Sequence, residues 1–314
     1  MSRAYLFPGQ GSQAVGMGKE LAAAFAAARH LFQEVDDALS QKLSTLMFEG
    51  PESDLTLTEN AQPALMAASV AVVRVLEKEF GVDLAAKGSY AAGHSLGEYS
   101  ALCAMGALTV ADTARLLKLR GQSMQKAVPV GEGAMAALLG AELDLAKEVV
   151  AEAAQGDVLG CANDNGGGQV VISGKKEAVE RAIEVAKTKG VKRGMLLPVS
   201  APFHCAMMQP AADAMAEALG KVTMNVPKLP VVSNVTAKGE SNPDDIRRLL
   251  VEQVTGLVRW RESMLWLKQQ GVAQVAELGS GKVLAGLMKR IDKDVEPLSI
   301  GQPAELEAFA KSLS

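Results

Sequence analysis

Cysteine, histidine and net positive charge are all scarce in this sequence, and each scarcity closes off a class of function. The 314 residues include three cysteines, Cys103, Cys161 and Cys205. That odd, sparse set has neither the paired spacing of a zinc site nor a disulfide framework. Reduced thiols are expected, which points to the cytoplasm. Lysine and arginine number 32 against 36 acids, a formal net charge of −4, so nucleic acid is not the expected main partner. Long apolar runs are missing too. The most apolar helix candidate, residues 63–76, is too short to span a bilayer and carries Arg74. The opening MSRAYLFPGQG lacks the extended apolar stretch of a signal peptide. Internal repeats and low-complexity tails are not visible.

What the chain does have is apolar content, 48% against 22% charged, enough for a large core. Short apolar strands alternate with longer helical patterns, which is the mark of an α/β fold. Strands are expected at 4–7 and 89–93, and helices at 17–39, 61–80, 96–105 and 110–126. Between Pro129 and Pro198 the order becomes strand 134–139, helix 142–154, strands 158–161 and 169–173, helix 175–188 and strand 191–197. That βαββαβ order is ferredoxin-like. The expected organisation is an α/β core over 1–128 and 198–314, with an inserted ferredoxin-like subdomain over 129–197. In the second part of the core, helices are expected at 205–219, 243–255, 260–270 and 282–290. Strands are expected there at 230–233 and 273–278, before a closing strand–helix pair.

Two glycine-rich stretches raise phosphate binding and are set aside. Gly9, Gly11 and Ala14 fit a dinucleotide fingerprint after a strand. The helical pattern that follows runs past residue 30, and no second strand arrives in time to bring Glu34 or Asp36 to a ribose. Gly279-Ser280-Gly281-Lys282 looks like a fragment of a P-loop. The motif's first glycine would fall at Ala276, and Val283 replaces the magnesium-binding hydroxyl. Gly166-Gly167-Gly168 reads as a turn between two strands of the insert.

The chemistry concentrates in AAGHSLGEYSAL, residues 91–102. Ser95 lies between Gly93 and Gly97, the Gly-x-Ser-x-Gly of a strand-to-helix elbow that exposes a nucleophilic hydroxyl. The same residues permit a plainer role, because Ser95 and Glu98 have the spacing of a capping box. A serine nucleophile needs a base within hydrogen-bond reach, and three histidines make the search short. His30 is mid-helix. His94 adjoins the serine, where side chains of a sharp turn point apart. His204 lies in SAPFHC, after the insert, and is the candidate. Asp144, Asp157 and Asp164 fall between Ser95 and His204 but inside the insert. A dyad oriented by a backbone carbonyl or an amide is therefore expected in place of a triad.

With FPGQGSQ at 7–13, Arg120-Gly121, Met124-Gln125, Gly133-Ala134-Met135, QVVISG at 169–174, Phe203-His204, Ser233-Asn234 and Gly281-Lys282-Val283-Leu284, the sequence resembles one family over nearly its whole length. That family is the malonyl-CoA:acyl carrier protein transacylases of type II fatty-acid synthesis. The resemblance implies a hydrolase-like α/β core with a parallel sheet and a ferredoxin-like insert. It implies an acyltransferase that moves a malonyl group from malonyl-CoA, through a Ser95 ester, to the phosphopantetheine thiol of an acyl carrier protein. Ser95 would be the nucleophile, with His204 acting as general base and then general acid. Gln10 and Leu96 would offer backbone N–H groups to the oxyanion. Gln253 would hold the histidine through its main-chain carbonyl, and Arg120 would pair with the malonyl carboxylate. In related polyketide acyltransferases, phenylalanine directly before the histidine accompanies malonyl selection, so Phe203 is the expected selectivity residue. The run Ser200-Ala201-Pro202-Phe203 departs from the shorter, more polar run of many relatives.

The alternative class is a serine hydrolase or thioesterase of the same fold, with water as acceptor. A non-catalytic interaction protein is a third, and the presence of both Ser95 and His204 counts against it. No metal or organic cofactor is called for, since the thioester carries the energy. Malonyl-CoA and the carrier protein are the expected partners, and monomer is the default state. An acidic carrier would need a local basic patch on this acidic chain. The candidates are Lys187, Lys189, Lys192 and Arg193 on the insert, and Lys289, Arg290 and Lys293 on the core. The second is favoured because it belongs to the part that carries the elbow.

Overall fold

Five short strands, each separated from the next by a segment long enough for a helical crossover, build the main sheet. The computed structural model describes residues 2–313. The strands are β1 (Arg3–Phe7), β2 (Tyr90–Gly93), β7 (Val231–Val232), β9 (Gln274–Leu278) and β10 (Glu296–Ile300), joined by the two-residue β8 (Gly239–Glu240). The order is β10-β9-β1-β2-β7-β8, parallel except that β8 runs antiparallel to β7. Every residue of β1 is buried, as expected for a central parallel strand covered on both faces. The helix Thr58–Lys78 is buried along most of its length, so its apolar residues run all round it instead of forming one stripe. Among the described residues, no helix is long and apolar enough to cross a membrane.

A second sheet comes from the middle of the chain: β3 (Gly133–Leu139), β4 (Leu159–Gly166), β5 (Gln169–Lys175) and β6 (Arg193–Leu196). It is antiparallel in the order β4-β5-β3-β6, the arrangement of a split βαβ unit. The helices Leu143–Ala154 and Lys176–Thr188 pack on it around Leu138, Val149, Val170, Ile172 and Val179, an apolar cluster separate from that of the main sheet.

The sequence reading misjudges some elements. The helix expected at 17–39 is two helices, Lys19–Ala24 and Ala26–Leu39. Phe25 is extended between them and sets its ring edge-on to Phe80 at 5.7 Å. Helices Leu43–Glu49 and Glu52–Thr56 were not anticipated. The strand expected at 158–161 continues to Gly166, because its polar far half is paired with the core. Asp164 N–H donates to Val258 O at 2.9 Å, Val258 N–H donates to Ala162 O at 2.9 Å, and the Asp164 carboxylate meets Arg261 Nε at 2.9 Å.

Candidate active site

The elbow is forced by two close approaches. A Cβ on Gly93 would overlap the carbonyl of Gly97, and a Cβ on Gly97 would overlap the carbonyl of Phe7 on the adjacent strand. Between these glycines Ser95 takes φ 53° and ψ −111°, a conformation that costs a non-glycine residue about 1–3 kcal/mol. The capping role is not the one the serine plays: its side chain makes no cap hydrogen bond to the helix Leu96–Ala104. Its Oγ lies 2.8 Å from His204 Nε2 and accepts from Arg120 Nη2 at 3.1 Å. Glu98 does not complete a capping box either. Its Oε2 accepts from Asn234 N at 3.0 Å and from Gln253 Nε2 at 2.8 Å.

His204 also has a positive φ, 57°. Its Nδ1 lies 2.9 Å from the carbonyl oxygen of Gln253. A carbonyl can only accept, so the proton sits on Nδ1 and Nε2 turns its lone pair to the serine hydroxyl. Burial, followed by the charge of Arg120, pushes the imidazole down to about 3, against the opposing pull of the Gln253 carbonyl. The ring is therefore neutral at rest. No aspartate takes part.

Arg120 is 1% exposed. Its Nη1 donates to Gln62 Oε1 at 2.8 Å, its Nη2 donates to Gln253 Oε1 at 2.9 Å as well as to Ser95, and its Nε has no partner. All of these partners are neutral. Among the described residues, no carboxylate lies within 4.0 Å of the guanidinium. Its place is set by Gly121, where a Cβ would stand 2.5 Å from Glu59 Cα. That contact lets the helix Val110–Ala127 lie close against Thr58–Lys78 and brings Arg120 beside Gln62.

These groups open into a cavity of about 340 Å³ at the seam between the two sheets. Gln10, Leu96 and Phe203 line it, with Met135 and Asn163 from the second sheet. Gln10 is on an exposed loop, and its Oε1 accepts from Thr58 Oγ1 at 2.9 Å, which in turn accepts from Gln62 Nε2 at 2.9 Å. Leu96 opens its helix, so its N–H has no intrahelical acceptor. Phe203 is 9% exposed.

The other histidines stay apart from the hydroxyl. His30 is exposed on the helix Ala26–Leu39. His94 packs on Trp260 at 5.4 Å between ring centroids, with its Nε2 2.9 Å from Asn165 Oδ1. The sequence points to no role for Asn234, Gln62 or Thr58, and to Glu98 only as the far member of a capping box. Asn234 accepts from the Ser95 N–H at 2.7 Å and donates to Gly93 O at 2.7 Å. The signal in the sequence is the Ser233-Asn234 pair, one of the family's motifs. Among the described residues, no group of three or more His, Cys, Asp or Glu is placed to hold a metal.

A family model described as acyl transferase domain matches residues 4–297. The chain is 46% identical over 305 residues to the malonyl CoA-acyl carrier protein transacylase of Escherichia coli K12, with 97% of each chain covered. It is 45% identical over 311 residues to that of Bacillus subtilis 168, covering 99% of this chain and 96% of the relative. Among solved structures, acyl-carrier-protein-S-malonyltransferase from Bartonella henselae matches with a TM-score of 0.98 at 56% identity, covering 100% of this chain and 99% of that one. A malonyl-transacylase in complex with its type II polyketide acyl-carrier protein matches with a TM-score of 0.96 at 43% identity, covering 99% and 100%.

Proposed function

The chain belongs to the acyl transferase domain family, and we propose that Ser95 and His204 are the nucleophile and base of its reaction. It is an acyl-carrier-protein S-malonyltransferase, which moves a malonyl group from malonyl-CoA to an acyl carrier protein in fatty-acid synthesis. Ser95 Oγ attacks the thioester carbonyl while His204 Nε2 takes the hydroxyl proton. The N–H groups of Gln10 and Leu96 hold the tetrahedral oxyanion. Collapse breaks the C–S bond, His204 returns the proton to the departing CoA thiolate, and malonyl-Ser95 remains. The phosphopantetheine thiol then gives its proton to His204 and attacks the ester. The second collapse reprotonates Ser95 and releases the malonyl thioester. A thioester is exchanged for a thioester, so the sequence of steps needs no cofactor.

One observation carries this reading: a buried guanidinium with neutral partners lies 3.1 Å from the serine hydroxyl. In a malonyl group a single methylene separates the carboxylate from the thioester carbonyl. The group that reads one must therefore stand beside the group that attacks the other. Arg120 exchanges its neutral partners for a bidentate carboxylate. A hydrolase acting on neutral esters has no use for such a charge. Gln253 orients the imidazole through its carbonyl, and the ring of Phe203 occupies the space where a methyl branch on the malonyl methylene would fall. The core of residues 1–128 and 198–314 carries this machinery, and the insert of 129–197 closes the cavity; the separate apolar clusters support that division. Three free cysteines fit a reducing, cytoplasmic setting.

Intact mass spectrometry after mixing with malonyl-CoA tests the assignment. The native protein should gain one malonyl group, Ser95→Ala should gain none, and His204→Ala should acylate about 10²–10⁴-fold more slowly. A full-yield adduct on Ser95→Ala would sink the assignment.

A further inference from the structure

The strained backbone of Ser95 is gripped at both of its polar groups by side chains that the steps above leave unused. Its N–H donates to Asn234 Oδ1 at 2.7 Å, and its carbonyl accepts from Gln253 Nε2 at 3.1 Å. Both grips converge on one atom. Glu98 Oε2 accepts from the Asn234 backbone N–H at 3.0 Å and from Gln253 Nε2 at 2.8 Å. Glu98 is 3% exposed, and Asn234 and Gln253 are each 1% exposed. Gln253 also touches the other two reacting groups, since its Oε1 accepts from Arg120 and its main-chain oxygen faces His204 Nδ1.

We propose that Glu98 is a positioning residue whose carboxylate, acting through Asn234 and Gln253, keeps Ser95, His204 and Arg120 in one working arrangement. The proposal rests on the nucleophile–base reading above. Its physical basis is a conflict between two costs. Burying a carboxylate is unfavourable, so an apolar side chain would be the simpler filling for this place. Such a filling would remove the shared acceptor and unfasten both grips at once. The two residues that most need fastening are Ser95 and His204, two of the five non-glycine residues with positive φ among those described. Positions of that kind persist where the surroundings over-determine them.

The arrangement has a signature that mere filling lacks. Glu98 is faced by Arg120 from the helix Val110–Ala127, by Tyr99 next along its own helix, and beyond Gln253 by His204, with His94 on the other side of the elbow. Burial pushes its carboxyl up to about 7, while Asn234, Gln253 and the Arg120 charge pull the other way. A proton on Glu98 weakens an acceptor shared by two donors, so acylation should decline as pH falls through about 7. His204, held near 3, cannot give a decline there. Malonyl binding neutralises Arg120 and removes its downward pull. The limb should therefore lie higher in kcat, which reports the complex, than in kcat/KM, which reports the free enzyme.

The test is the rate of malonyl-Ser95 formation by rapid quench and intact mass, from mildly acid to mildly alkaline pH, on the full chain. The native protein should show the acid limb. Glu98→Gln should acylate roughly 10- to 100-fold more slowly at neutral pH, the scale of a slightly misplaced reacting group, and should lose the limb. A native rate in Glu98→Gln, or an acid limb that survives the replacement, overturns the proposal. Should that variant fail to fold, Asn234→Ala decides. It should be slowed by a similar factor while keeping the limb, and a native rate from it is equally fatal. Absence of any adduct on the native protein would sink the nucleophile reading itself, a different failure.

Discussion

Arg120 is 1% exposed and all its hydrogen-bond partners are neutral, with the Glu98 carboxylate near but not in contact, and a buried charge without a directly paired counter-ion is costly. On the function proposed above, a carboxylate-bearing acyl group relieves that cost. Arg120→Ala should thus lose about 2–5 kcal/mol of malonyl kcat/KM, the scale of a broken buried charge pair. Acetyl transfer from acetyl-CoA should be kept or raised, since base and oxyanion donors remain. Parallel assays with the two thioesters check this, and equal loss of both activities would mean that Arg120 serves structure alone. The same variant removes a cation that holds the imidazole of His204 down, so the ring's pKa should rise. Ser95 and His204 were legible in the sequence because an elbow motif and three histidines leave few pairings. The grips on Ser95 were not. Asn234 and Gln253 reach the elbow across 139 and 158 residues, and although the Ser233-Asn234 pair is visible as a motif, no local pattern in either segment says which group the side chain binds.

At the scale of elements, the site depends on how closely helices and strands are allowed to approach. Gly121 is the clearest case, with the neighbouring helix backbone 2.5 Å from where its Cβ would stand. Gly121→Ala should force the two helices apart at a cost of about 1–3 kcal/mol, the usual penalty for overpacking. Arg120, one residue away, should retreat from Gln62 with them. The expected result is a lower Tm together with a higher KM for malonyl-CoA, and native values of both would show that the helices part freely. The central parallel strands and the buried helix Thr58–Lys78 could be read because they are apolar for several residues in succession. The far half of β4 could not. Its Asn163, Asp164 and Asn165 look like a loop until Val258 and Arg261, more than ninety residues away, supply their partners. The break at Phe25 was hidden for a similar reason, since a distant ring, Phe80, gives the extended residue its packing.

Over the whole molecule, a net charge of −4 makes long-range attraction of an acidic carrier protein depend on local patches. The structure separates the two candidates by their neighbours. Lys187 is paired with Glu184 at 2.6 Å and Lys189 with Glu152 at 3.1 Å, so much of the insert cluster is neutralised. Lys289, Arg290 and Lys293 are exposed, and among the described residues none has a carboxylate within 4.0 Å. Arg290 Nη2 instead donates to Gln169 Oε1 at 3.2 Å, on the hairpin of the second sheet, so the two lysines are the safer pair to change. Lys289→Glu with Lys293→Glu should raise KM for the carrier protein, most at low ionic strength where screening is weakest. Formation of malonyl-Ser95 should be unaffected. Carrier kinetics unchanged at low salt would send the docking site to the insert.

Ser95 and His204 are 109 residues apart, and the carbonyl that orients the histidine arrives later still, at Gln253. A ribosome releases these segments in order, so a growing chain possesses its hydroxyl long before it possesses a base, and a base before that base is held. Closure of such distant segments comes late because loop entropy must be overcome first. On the nucleophile–base reading proposed above, a growing chain cannot form malonyl-Ser95 efficiently until the segment that carries Gln253 has emerged and docked.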